Sequence, residues 1–164
     1  MKMTQFFLDQ LKREAAINRR ALGVVPEGKN AWKPHPKSMP LGYLAALVAT
    51  MPGWIAMMIE QDELDLAKGE RQSDAGSVSE LVEMLDRSVT AGEKALQNTD
   101  DAHLQTRWRL LYAGRVMDDR PRHAVIADTF AHMAHHRGQL TVYLRLNDRP
   151  IPSIYGPTAD APLS

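Results

Sequence analysis

Apolar residues recur at three- and four-residue steps in four separate stretches of this chain. That spacing calls for helices, each burying one face. The first stretch runs from about Thr4 to Leu22, with Phe7, Leu8, Leu11 and Ala15 on one stripe and Thr4 as the expected N-cap. The second runs from about Pro40 to Glu60 and carries Leu41, Leu44, Ala45, Val48, Ile55, Met58 and Ile59. Pro52 lies inside it and has no N–H for the carbonyl of Val48, so a kink is expected there. The third, about Val78 to Gln97, opens on the capping box Ser77/Glu80. The fourth and longest, about Pro121 to Leu146, has Asp118 or Asp119 as its expected cap and Pro121 in its first turn.

Between the first two stretches, residues 23–39 are rich in proline and glycine and read as a long ordered crossover loop. Residues 68–76 read as a polar turn. Residues 104–117 partly alternate, with Trp108, Leu110 and Tyr112 on one parity, which suggests an extended segment. The tail 147–164 contains four prolines and is excluded from helix. The pattern predicts a single all-α domain over 1–164, a four-helix bundle with the proline-rich tail packed on it. Lys+Arg and Asp+Glu number 20 each, so no bulk charge draws the chain to nucleic acid or to an anionic membrane. No apolar run approaches the roughly 20 residues of a membrane span. The absence of cysteine removes thiolate chemistry and fits a reducing compartment, so a cytoplasmic location is expected.

Three of the six histidines lie in "AHMAHHRGQL", residues 131–140. His132 and His136 stand one helical turn apart on a stripe with Val125, Thr129, Leu140 and Tyr143, predicted to look into the bundle. Such a pair is able to give two bonds to one transition-metal ion. A lone H-x-x-x-H is a weak signal, and the competing reading is a buried polar patch that satisfies its neighbours. Asp128 shares the face, but eight residues rise about 12 Å, so it cannot bind one ion together with His136. Its expected role is to orient a ligand or hold a water. Arg137 reads either as a carboxylate clamp for a substrate or as a pin for the tail. Tyr143 belongs with the same pocket candidates.

The segments "WKPHPKSMPLGYLAALVATMPGW" (32–54), "HMAHHRGQLTVYLRLNDRPIPSIYG" (132–156) and "PTAD" (157–160) together resemble the DinB family, also described as DinB/YfiT-like metalloenzymes. The resemblance covers nearly the whole chain. It implies an up-down-down-up four-helix bundle, often a homodimer. It implies a divalent metal, zinc or nickel, on three histidines, two from the fourth helix and one from the second. The pair falls on His132 and His136. The third position falls on Leu47, which offers no lone pair. Two functional expectations follow. One is a degenerate metal site serving a small-molecule or thiol-dependent transferase or hydrolase, with the metal as Lewis acid. The other is a metal-free, dimeric binding or interaction module that has lost catalysis.

Overall fold

The computed structural model describes residues 1–69 and 75–162. Six helices form: α1 (Met3–Leu22), α2 (Leu41–Thr50), α3 (Trp54–Glu60), α4 (Val78–Gln97), α5 (Asp101–Gln105) and α6 (Arg122–Leu146). Three strands join them: β1 (Glu63–Asp65), β2 (Arg107–Tyr112) and β3 (Arg115–Pro121). The all-α expectation is therefore corrected to a helical bundle carrying a small sheet. The expected polar turn at 68–76 lies partly outside the described residues.

The long second helix is two helices. A single 3₁₀ turn, Met51–Gly53, separates α2 from α3, and the two halves bend by 51°. Pro52 explains the break, since a missing N–H cannot continue the ladder. The helix α4 packs against this bend through Gly92. A β-carbon there would lie 2.9 Å from the Pro52 carbonyl oxygen and 3.0 Å from Leu11. Glycine inside a helix is intrinsically unfavourable, and its place here is set by the close approach of two backbones. No single helix among the described residues is long and apolar enough to cross a membrane.

In the bundle, α1 and the α2–α3 unit each pack against both α4 and α6. The core falls into two apolar clusters. One joins Phe7 and Leu11 of α1 to Ile55, Ile126, Phe130 and Met133. The other joins Ala21 and Leu22 to Leu41, Leu44, Leu140 and Leu144. Between them α1 presents Glu14 and Asn18, and α6 presents Arg137, all buried. A polar layer thus divides the apolar interior.

The first helix begins at Met3, one residue earlier than expected, and Thr4 does not cap it. The carboxylate of Asp101, on α5, accepts from the backbone N–H of Met3 at 3.0 Å and of Thr4 at 3.1 Å. These bonds hold the Asp101 carboxyl below its ordinary value of 3.8. A depressed carboxylate stabilises the fold above its unfolded value and loses that contribution as pH falls through the lower folded value. Replacing Asp101 with asparagine is expected to speed amide exchange in the first turn of α1 at neutral pH. At a pH below the folded value of Asp101 the two proteins should exchange alike. An unchanged exchange rate at neutral pH would show that the cap carries no weight. In contrast, Ser77 caps α4 as expected, accepting from the N–H of Glu80 at 3.2 Å.

The sheet runs β1-β2-β3, with β1 parallel to β2 and β2 antiparallel to β3. Ala113 and Gly114, both at positive φ, form the two-residue turn of the β2–β3 hairpin. Asp65 fastens that turn by accepting from both of their N–H groups at 2.9 Å. A register shift between Leu110 and Leu111 breaks the alternation: Leu111 is turned inside and Tyr112 outside. Tyr112 therefore does not share a face with Trp108 and Leu110. Asp118 and Asp119 belong to β3 and do not cap α6.

Candidate functional site

The inward face of the sheet stands off α2, α3 and α6 and leaves a cavity of about 1100 Å³. Sites for small molecules are commonly about 300–1,000 Å³, so this one is large enough for such a ligand. Its walls are mainly apolar. The helices give Tyr43, Leu47, Trp54, Met57, Met58 and Val125, and the strands give Leu64, Trp108 and Leu110.

The polar part of the lining is Asp118, Arg120, Asp128, Thr129 and His132. Strand pairing decides two of these. Asp118 is opposite Leu110 and Arg120 is opposite Trp108, and opposed residues of an antiparallel pair share a face. Asp119, between them, turns outward and pairs with Arg107 at 2.7 Å. Arg120 then bridges strand to helix. Its Nε and Nη2 reach the Asp118 carboxylate at 2.7–2.9 Å, and its Nη1 reaches Asp128 at 2.7 Å. Arg120 holds Asp118 ionised, below its ordinary range. The two carboxylates in turn raise Arg120 further.

The histidine pair sits at the rim and does not point into the bundle. The buried stripe of α6 runs through Arg122, Ile126, Met133, Arg137, Leu140 and Leu144. At 100° per residue, His136 is roughly 70° and His132 roughly 110° from its centre. Val125 and Thr129 share the histidine flank and are buried, while His132 is exposed. The His132 ring rests 5.6 Å from that of Trp54. Burial on that side holds its imidazole below the ordinary 6.5, and the neighbouring His136 and His135 add to the effect.

Gln139 orients the pair. Its Oε1 stands 2.8 Å from Nδ1 of His136, which makes that nitrogen the donor. Nε2 of His136 is then an acceptor, and it meets Nε2 of His132 at 2.8 Å. Two imidazoles bound to one tetrahedral zinc, each at about 2.1 Å, have nitrogens about 3.4 Å apart. The observed pair is drawn together as a hydrogen bond. Leu47 lines the same cavity as His132 and is 8% exposed. Among the described residues no three histidine or carboxylate side chains converge on one point. The donor set does not complete the three-histidine site that the resemblance implies.

His103 bonds the Ile59 carbonyl at 2.8 Å and lines a separate recess with Glu60 and Asp100. His35 accepts from the N–H of Lys37. His123 meets the carbonyl of Leu104 at 3.1 Å.

The structure brings Leu47, Asp128 and His132 to one cavity and places Arg137 and Tyr143 elsewhere. Arg137 is 1% exposed and lies in the polar layer between the core clusters. It donates to Asn18 and Glu14, each at 2.6 Å, and to the hydroxyl of Tyr155 from the tail. Of its two readings, the pin is the one the geometry holds. Tyr143 donates to the Met39 carbonyl at 3.2 Å and packs edge-on against Trp32. Asp118, Arg120, Trp54 and Trp108 are among the cavity residues that helical periodicity does not reveal. No local alternation marks the first two: the face of Asp118 and Arg120 in "RVMDDRP" is fixed by pairing with "RWRLLY" across a tight turn.

The sequence profile of the DinB family matches residues 41–162. No curated protein matches the chain. Solved structures that share its fold include two DinB-like proteins. A DinB-like protein from Bacillus cereus ATCC 10987 superposes with a TM-score of 0.71 at 21% identity, covering 91% of this chain and 95% of that one. A DinB-like protein from Bacillus subtilis superposes with a TM-score of 0.70 at 15% identity, covering 90% of this chain and 96% of that one. The profile spans most of the sequence, including the second helical unit, the sheet and the histidine helix, and the chain belongs to the DinB family.

Proposed function

We propose that this chain is a small-molecule-binding member of its family, in which the cavity is the working feature and three-histidine metal chemistry has been lost. The observation that carries the reading is the wall beside His132. Where a third imidazole would stand, Leu47 continues an apolar surface with Trp54, Met57 and Met58. Such a surface favours an apolar ligand through desolvation and works against a bound ion. His132, neutral at neutral pH, supplies a polar contact at the mouth.

A second reading rests on the 2.8 Å contact between the two Nε2 atoms. Transfer of the His132 Nε2 proton to its own Nδ1 and a small opening of the pair would give a two-imidazole site for zinc or nickel, weaker than a complete one. Transferase or hydrolase activity would belong to that reading. The homodimer implied by the resemblance is part of both and is read by sedimentation.

The test uses protein made without an affinity tag. Nile red, a neutral apolar dye, is expected to bind with increased fluorescence, and Leu47→Trp to reduce the signal by narrowing the cavity beside His132. Zinc and nickel titrations are expected to show no tighter binding than in a His132→Ala variant, and chelator to leave the melting temperature unchanged. Tight metal binding that disappears in His132→Ala would replace the first reading with the second.

A further inference from the structure

The polar edge of the cavity has a definite sign. Asp118 and Asp128 bring two carboxylates to it and Arg120 brings one guanidinium. All three guanidinium nitrogens already face carboxylate oxygens at 2.7–2.9 Å. An incoming anion would have to break one of those pairs and stand beside the displaced carboxylate, and both steps are unfavourable. The carboxylates are not equally committed. Asp118 gives both oxygens to Arg120, whereas Asp128 gives only Oδ2 and its side chain is 63% exposed. The second oxygen of Asp128 is open to a further donor.

The apolar wall agrees with that sign. Tyr43, Trp54 and Trp108 put three aromatic rings around the cavity, and aromatic faces attract cations. Trp108 is 2% exposed, and its indole N–H, without a partner among the described residues, is a donor for an acceptor atom on the ligand's body and not for its head.

Resting on the cavity reading above, we infer that the cavity's ligand is a small amphipathic organic cation. Its apolar body, aromatic or short alkyl, lies against Leu47, Trp54, Met57, Met58 and Trp108. Its ammonium head is held at Asp128, beside the Asp118–Arg120 pair. Binding is non-covalent, and discrimination against acids of the same shape comes from the pre-engaged guanidinium.

Three probes with one body and three heads test this: 4-phenylbutylamine, 4-phenylbutanol and 4-phenylbutyrate. They are titrated calorimetrically at low salt and mildly alkaline pH, where imidazoles are neutral and the amine is charged. The amine is expected to bind at least about tenfold more tightly than the carboxylate, with the alcohol between them. Asp128→Asn, a change on an exposed side chain, is expected to weaken the amine several-fold and leave the alcohol unchanged. Raised salt is expected to narrow the difference. Equal or tighter binding of the carboxylate would overturn the charge assignment and leave the cavity reading standing. Failure of all three probes to bind, with Nile red also excluded, would overturn both. An Asp128→Asn variant that weakens amine and alcohol alike would also overturn the assignment of the head to Asp128.

Discussion

Replacing Arg137 with methionine is expected to lower the unfolding free energy by about 3–5 kcal/mol at neutral pH. The guanidinium is buried between two apolar clusters, and each of its neighbours depends on it. Glu14 is 7% exposed at the side chain and would keep a carboxylate without its cation. Asn18 would lose the donor at its Oδ1 while its Nδ2 stays on the Val48 carbonyl at 3.1 Å. Tyr155 would lose a cation 5.0 Å from its ring centre as well as a hydrogen-bond donor, loosening the tail. Methionine fills a similar volume, so the loss measures the broken network more than a cavity. Urea unfolding of the single variant reads this directly. The double variant Glu14→Leu, Arg137→Met is expected to recover most of the loss, because removing both charges removes the stranded one. A single-variant loss under about 1 kcal/mol would mean that Glu14 is already neutral or solvated in the native protein.

Replacing Leu47 with histidine is expected to raise zinc affinity at least about tenfold, a change of roughly 1.4 kcal/mol. Leu47 and His132 line one cavity, and His132 is in contact with His136. A third imidazole at that position would give the ion the donor count of a site with one open position. The variant has its own cost, since it buries a polar ring in an apolar wall, and about 1–3 kcal/mol of metal-free stability is at stake. Zinc should therefore restore the melting temperature of Leu47→His and leave that of the wild type nearly unmoved. Adding His132→Ala should cancel the gain. An affinity no greater than wild type would show that position 47 and the histidine pair do not converge on one ion.

The helices were legible because their signal is local. Apolar spacing and the Ser77 cap place α4, and Pro52 marks the bend between α2 and α3, without reference to any other segment. The site was legible only in part. His132, Asp128 and Leu47 meet at one cavity, but of the α6 stripe expected to face inward only Val125, Thr129, Leu140 and Tyr143 are buried, while His132 is exposed. The wheel fixes angles within one helix and does not say which angle faces the interior. That direction is set by where α1 and the α2–α3 unit pack.

What the sequence determined alone was the four long helical stretches, without the short α5, the family to which they belong and the residue types available at the rim. Tertiary structure decided which charge meets which partner. Arg137 and Arg120 are the same residue type, yet one is sealed against Glu14 and Asn18 in the core and the other stands between two aspartates at the cavity. Helical periodicity repeats within a few residues and is written into the chain. The surroundings of a guanidinium depend on segments more than a hundred residues away, or on a strand register shifted by one residue, and only the packed fold brings those together.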